Sequence, residues 1–284
     1  MKMIRKIFSS LLAVAILFTG TMGRSAHAAP KAELWSHWTA NALTSKVRID
    51  HTPWQRFLEK YLIRSDSSDV NLVRYGDVGP QDRDLLRAYL ADLQKVQVAK
   101  LNRLEQMAYW INLYNSLTVK IVLNYYPVKS IRDIDISPGL FARGPWGAKL
   151  LQIEGQEVSL DDIEHRILRP IWKDNRIHYA VNCASIGCPN LQPEAFTADN
   201  LQRLLDRGAR EYIHSDRGVK IERNKLTLSS IYKWFQDDFG GSEQLVLRHL
   251  STYAEPFLAN ALTRYRGRIS YQYDWRLNDA SGRH

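Results

Sequence analysis

The feature that most constrains the fold is a long segment between residues 103 and 125 that is apolar on nearly all sides. Asn102, with Glu105 three residues later, is typical of a helix start, and Pro127 predicts that the helix stops at about Tyr125. A helix with almost no polar face is normally buried in the middle of a domain. The sequence therefore predicts a central buried helix at about 103–125.

Shorter elements precede and follow this helix. Residues 29–100 predict short helices, one of them at about 81–96, which we expect to form a helical N-terminal extension packed on the core. Alternating apolar and polar residues predict two hairpins, with turns at 154–155 and 223–224, and a last strand at 269–274. The prediction is a single helix-rich α+β domain at 101–284, with a small mixed or antiparallel sheet around the buried helix.

The first 28 residues have the pattern of a signal peptide. Lys2 and Arg5 lie in a basic stretch, residues 7–19 are apolar, and residues 26–28 have the form of a cleavage site. The apolar stretch is too short to span a bilayer, and no later run reaches the roughly 20 apolar residues of a spanning helix. We therefore expect a periplasmic or secreted protein that is not an integral membrane protein after cleavage.

The charge pattern argues against nucleic acid as a partner. The formal net charge is +9, but lysines and arginines form no run interleaved with aromatic residues. We expect a peptide, a cell-envelope component or a small molecule as the ligand, and no pattern requires a cofactor.

Both cysteines lie in one segment, from Arg176 to Pro189. Residues 177–181 are apolar and β-prone, which predicts a buried strand, and the small residues after them predict a turn. In an oxidising compartment Cys183 and Cys188 could form a disulfide, and closing so short a loop is worth roughly 2 kcal/mol. A thiol and an imidazole delivered into a turn could equally form a catalytic site.

Other polar residues extend the candidate site. Four of them, at 105, 112, 115 and 116, fall on one stripe of the central helix and either bind crossing loops or face a site. A second helix is predicted to start at 159–162 and to end before Pro170, which places His165 within reach of Asp161 and Asp162. Arg143 lies in a Gly/Pro loop of the kind that can cover a site.

Four blocks of the chain, in this order, resemble the domain-of-unknown-function family 547. They are residues 108–115, 160–165, 176–189 and 273–278. The resemblance implies a widespread domain that is often exported in bacteria and has no settled activity. It singles out as pattern residues Trp110, Asn112, Asn115, His165, His178, Cys183 and Cys188.

Thiol chemistry is the first functional hypothesis. Cys183 would be the nucleophile, a histidine its base, and an aspartate the residue that orients the base, for acyl transfer or for amide or ester hydrolysis. The candidate bases and orienting residues are His165, His178, Asp161 and Asp162. The candidate binding residues are Glu105, Trp110, Asn112, Asn115, Asn182 and Arg143.

The second hypothesis is a non-catalytic binding domain in which a Cys183–Cys188 bridge, structural or redox-active, holds the turn. The four intervening residues differ from the redox C-x-x-C spacing, which weakens an oxidoreductase interpretation. A zinc site from both cysteines, His165 and His178 would have suitable ligands but no standard spacing, so we predict no metal site.

Overall fold

The structure is a computed structural model that describes residues 30–64, 69–139 and 143–281. The predicted signal peptide at 1–28 lies outside these residues. In the described part of the chain, no helix combines the length and the apolarity that crossing a membrane requires.

Eight α-helices and several shorter helical turns make up about half of the described chain. The α-helices are α1 (Thr52–Tyr61), α2 (Pro80–Leu93), α3 (Arg103–Tyr125), α4 (Arg169–Trp172), α5 (Leu201–Ile213), α6 (Ile231–Trp234), α7 (Glu243–Tyr253) and α8 (Pro256–Arg264). A π-helix (Asp162–Leu168) precedes α4, and the 3-10 helices that concern the site are Asn175–Tyr179 and Gln236–Phe239.

Seven short strands among the described residues form three small sheets. They are β1 (Leu62–Ile63), β2 (Leu72–Val73), β3 (Leu151–Ile153), β4 (Gln156–Val158), β5 (Val219–Glu222), β6 (Lys225–Ser229) and β7 (Ile269–Gln272). β1 with β2 and β3 with β4 are antiparallel pairs, whereas β6 pairs antiparallel with β5 and parallel with β7. The predicted α+β class, with small sheets only, is confirmed.

The two predicted hairpins form at the predicted turns. Glu154 and Gly155 have φ of 47° and 77°, and Arg223 and Asn224 have φ of 44° and 65°. Two successive residues with positive φ are what the tight turn of a two-residue hairpin requires.

The central helix α3 matches its prediction at both ends. The Asn102 side chain accepts a hydrogen bond from the backbone N–H of Glu105, which caps the start of the helix. Every residue from 105 to 119 is buried. A helix buried on all sides must have its polar side chains paired inside the protein, and this requirement shapes the candidate site.

In the part of the chain that the structure describes, buried apolar side chains form two clusters. The first core surrounds α3, and the second core lies around the three-stranded sheet and helices α7 and α8. Helix α5 belongs to both, since Leu201 and Leu204 lie in the first core and Tyr212 and Ile213 in the second. The cysteine segment enters between these cores, because Tyr179 belongs to the second and Ala180 to the first.

The prediction of a strand at 177–181 is wrong. Residues Asn175–Tyr179 form a 3-10 helix, which begins where the Asp174 carboxylate accepts the N–H of Arg176 at 2.9 Å. The apolar run is buried as expected, but burial on all sides does not distinguish a strand from a helical turn.

The helix predicted to end before Pro170 instead continues to Trp172, as a π-helix followed by α4. Pro170 has no N–H to offer to the carbonyl of Arg166. That carbonyl accepts the N–H of Trp35 at 3.0 Å instead, and the preceding carbonyl of His165 accepts the N–H of Glu33 at 3.0 Å. Backbone N–H groups of the N-terminal segment therefore bind the carbonyls that Pro170 cannot, and the helix continues past the proline.

Candidate functional site

The two cysteines lie in a tight loop that Asn182 closes. The side-chain carbonyl of Asn182 accepts the N–H of Ala184 at 2.8 Å, and its amide donates to the carbonyl of Pro189 at 2.7 Å. Ala184 has a φ of 60°, which turns the chain back sharply. One buried amide therefore ties both ends of the cysteine loop, defined here as residues 182–189.

Both cysteines are free thiols that touch each other. Their Sγ atoms are 2.8 Å apart, and the backbone N–H of Cys183 donates to the Sγ of Cys188 at 3.0 Å. A disulfide has an S–S distance of about 2.05 Å. The bridge considered from the sequence is therefore not formed in this structure, although the two sulfurs are next to each other.

The two sulfurs differ in exposure and in proton affinity. Cys183 is partly exposed, whereas Cys188 is buried. A hydrogen bond from Cys188 lowers the pKa of Cys183 against the opposing effect of burial, and hydrogen bonds with Ser185 and Tyr273 lower it further. Burial, and then the neighbouring Cys183, raise the pKa of Cys188 well above its ordinary value. Of the two, Cys183 is the one that ionises and Cys188 the one that keeps its proton.

Two hydroxyl groups complete the surroundings of the Cys183 sulfur. Ser185 Oγ and the phenol oxygen of Tyr273 each lie 3.2 Å from Sγ and 2.9 Å from each other. Both hydroxyl groups can donate a hydrogen bond to a thiolate at this sulfur, and each such bond stabilises its negative charge.

A groove of about 700 Å³ lies beside the cysteine loop. Gly187 and Tyr273 line it on the side of the loop, together with Trp275 and a mixture of basic and acidic residues. Trp275 also contacts the rings of Trp146 and Trp234, with ring centroids 5.9 Å and 5.7 Å away. Half-buried aromatic rings therefore adjoin the thiol pair.

The two candidate histidines belong to a different, buried cluster. Nη1 of Arg169 donates to Nδ1 of His165 at 2.9 Å, and Nε2 of His178 lies 2.7 Å from the Asp238 carboxylate. Burial lowers the pKa of His165 to about 4. Neither ring has a hydrogen bond to Cys183 among the described residues, so the structure gives each histidine partners other than the thiol.

The two candidate aspartates have unlike roles. The Asp162 carboxylate accepts the N–H and the hydroxyl of Ser159 at 2.8 and 2.7 Å and also binds Arg166 and Lys149, so it is held as a helix cap. Asp161 lies 3.6 Å from Nε2 of His165. Burial, with the nearby acids Glu164 and Asp162, raises the pKa of Asp161 to about 7.

The polar stripe of α3 binds crossing loops. Asn112 exchanges two hydrogen bonds with the backbone of Phe196, at 2.7 and 3.0 Å. Asn115 donates to the carbonyl of Ala180 at 2.9 Å and accepts the N–H of Asn182 at 2.8 Å. Asn115 therefore fixes the start of the cysteine loop, while Asn112 fixes a segment after it.

Among the described residues, the remaining candidate binding residues make no hydrogen bond to either thiol. Glu105 accepts the N–H of Ile49 at 2.7 Å. Trp110 is fully buried on α3, and its Nε1 has no hydrogen-bond partner among the described residues. Arg143 is exposed. Within the described ranges, no three His, Cys, Asp or Glu side chains are grouped to hold a metal ion.

Sequence reasoning missed Arg169 beside His165 and both Ser185 and Tyr273 beside Cys183. It also missed Glu164, Asp238 and Arg217. Glu164 accepts the hydroxyl of Tyr114 at 3.0 Å and lies in the block that carries His165, so that block was the signal for it. Asp238 and Arg217, which binds the cysteine loop, are far from their partners in the chain, and no local pattern marks them.

In a comparison with protein families, residues 98–213 match the family described as "Protein of unknown function, DUF547". This segment includes α3, the histidine cluster except Asp238, the cysteine loop and α5. No curated protein and no solved structure matches the chain.

Proposed function

We propose from the site itself that this protein carries out thiol–disulfide exchange through Cys183 and Cys188, since the DUF547 family that residues 98–213 match has a description that states no function. The observation that carries the proposal is the contact between two free thiols, 2.8 Å apart, of which one is partly exposed and one buried. A lowered pKa at the exposed sulfur and a raised one at its buried partner are what an attacking and a resolving thiol need.

The reaction has two balanced steps. The Cys183 thiolate attacks one sulfur of a substrate disulfide, so that a mixed disulfide forms and the first substrate thiolate leaves. The Cys188 sulfur then attacks Sγ of Cys183, which forms the Cys183–Cys188 disulfide and releases the second substrate thiolate. The proton of Cys188 passes to a leaving thiolate. The reverse sequence oxidises a substrate dithiol and regenerates the free pair.

The surroundings of the pair support these steps. Tyr273 and Ser185 can donate hydrogen bonds to the charge on Cys183. The cysteine loop already holds the two sulfurs in contact, so that the S–S distance of 2.8 Å need shorten by only about 0.75 Å to reach the roughly 2.05 Å of a disulfide. With the predicted signal peptide, the proposal places the activity in the periplasm or outside the cell, where protein disulfides occur.

Acyl transfer, or amide or ester hydrolysis, by Cys183 is the second candidate. The partial exposure of Cys183 and its lowered pKa favour it as well. It is the weaker candidate because it needs a base beside the thiol. The rings of His165 and His178 have their hydrogen bonds with Arg169 and Asp238 instead.

The test uses two variants and glutathione disulfide under native conditions. Cys188→Ser should accumulate a stable mixed disulfide with glutathione on Cys183, because the resolving sulfur is absent. Cys183→Ser should accumulate little, since its remaining thiol is buried. The unaltered protein should end as the internal disulfide without an adduct. Intact mass before and after reduction distinguishes these products.

Two results would reject the proposal. One is a Cys188→Ser variant that gains no adduct. The other is a native pair that stays oxidised in dithiothreitol until the protein unfolds, which would support a binding domain with a structural bridge. Hydrolysis of a nitrophenyl ester that is lost in Cys183→Ser but kept in Cys188→Ser would favour acyl transfer.

A further inference from the structure

Arg217 reaches from the turn between α5 and β5 to the cysteine loop. Its Nη1 donates to the carbonyl of Ile186 at 2.9 Å and to the carbonyl of Cys188 at 2.7 Å. One nitrogen therefore holds the backbone on both sides of Gly187 and at the resolving cysteine itself.

The other nitrogens of Arg217 are also engaged. Nη2 donates to the carbonyl of Asp69 at 2.7 Å and to the side chain of Asn190 at 3.0 Å, and Nε donates to Ser215 Oγ at 3.2 Å. A guanidinium has five N–H donors in a fixed plane, and here all five have an acceptor. Lysine has three donors on a flexible chain and cannot reproduce this arrangement.

The carbonyl between the two that Arg217 binds is held as well. The hydroxyl of Tyr212 donates to the carbonyl of Gly187 at 2.6 Å, and the guanidinium of Arg217 lies over the ring of Tyr212, 5.6 Å from its centroid. Three successive carbonyls of the cysteine loop are thus bound by one Arg–Tyr pair. This clamp, formed by Arg217 and Tyr212, fixes the backbone of Cys188. The sulfur of Cys188 must stay in contact with that of Cys183 for the reduced pair to share one proton.

We infer that Arg217 is a positioning residue that sets the redox potential of the Cys183–Cys188 pair, an inference that rests on the proposed function. The clamp holds Cys188 where its S–H stabilises the Cys183 thiolate, and the positively charged guanidinium interacts electrostatically with Cys188. Both effects favour the reduced pair over the disulfide, because only the reduced pair contains the thiolate. Loss of Arg217 should therefore make the disulfide harder to reduce.

The experiment compares Arg217→Met and Arg217→Lys with the unaltered protein. In glutathione redox buffers, Arg217→Met should shift the equilibrium towards the disulfide by about threefold to tenfold, where tenfold corresponds to about 30 mV for this two-electron couple. Alkylation of Cys183 by iodoacetamide should show a raised pKa in its pH profile and a rate at pH 7 at least threefold lower. Arg217→Lys keeps the positive charge but not the planar set of five donors, and we expect smaller shifts of the redox equilibrium and of the Cys183 pKa in the same direction.

Arg203→Met is the matched control, because it removes the same charge from α5 at an exposed side chain that pairs with Glu194. Unchanged potential and alkylation profile in both Arg217 variants would overturn the inference, and so would equal shifts in Arg203→Met. Urea unfolding of each variant identifies any that is not folded, in which case Arg217→Lys carries the test. Alkylation needs no exchange reaction, so a protein that fails to exchange with glutathione but loses Cys183 reactivity without Arg217 would reject only the proposed function.

Discussion

At the scale of single residues, Asp161 is the described carboxyl group whose environment most opposes its charge. Burial and the neighbouring Glu164 and Asp162 raise its pKa from 3.8 to about 7, against the opposing effect of Lys149. Since the unfolded chain releases this proton near pH 4 and the folded protein only near pH 7, the group costs stability as the pH rises between these values, and the cost is complete above pH 7.

Asp161→Asn should therefore stabilise the protein at pH 8 and leave its stability unchanged at pH 4. We expect a gain of about 1 kcal/mol, less than the full pKa shift implies, because the side chain is 39% exposed and solvent screens it. Urea unfolding at the two pH values measures the difference. Asp199→Asn, at a side chain that is 85% exposed, should change little at either pH. An equal gain at pH 4 and pH 8 would contradict the argument.

At the scale of elements, α3 holds two loops through two asparagines of similar environment. Asn112 and Asn115 are both buried, and each pairs with one backbone carbonyl and one backbone N–H. Replacing either by alanine should cost about 2–4 kcal/mol, because two buried backbone groups lose their partners. Only Asn115→Ala should also slow iodoacetamide at Cys183, by about threefold at pH 7, since only Asn115 holds the cysteine loop. Equal alkylation rates in the two variants would show that α3 does not position the thiol.

The same elements show what local sequence could predict. The central helix and both hairpins were predictable, because caps, periodicity and turn residues are signals within a few positions. The strand at 177–181 was wrong because its apolar residues are buried on all sides, which hides the period. Arg217 and its partner Ile186 in the cysteine loop are 31 positions apart in the sequence, and Asp238 and His178 are 60 positions apart. Such contacts depend on how the two cores meet, which no local pattern specifies.

At the scale of the whole molecule, Asp238 connects the two cores. It lies in the 3-10 helix Gln236–Phe239, which contributes Phe239 to the second core, and its carboxylate binds Arg169 at 2.5 Å and His178 at 2.7 Å. Burial opposes the charge of Asp238, but hydrogen bonds from His178 and Arg169 outweigh it and hold its pKa below the ordinary value of 3.8. The stability from this carboxylate is therefore present above pH 4 and is lost as the pH falls below its ordinary pKa.

Asp238→Asn should accordingly cost about 2–4 kcal/mol at pH 7, because Arg169 and His178 keep their buried positions without the carboxylate that balances them. The difference from the unaltered protein should shrink as the pH is lowered from 4 to 2, where the native carboxylate loses its own advantage. Asp237→Asn is the matched control, since this neighbouring side chain is exposed and should change stability little. Urea unfolding followed by tryptophan fluorescence measures both. A difference that is equally large at pH 7 and pH 2 would mean that the charge of Asp238 does not hold the cores together.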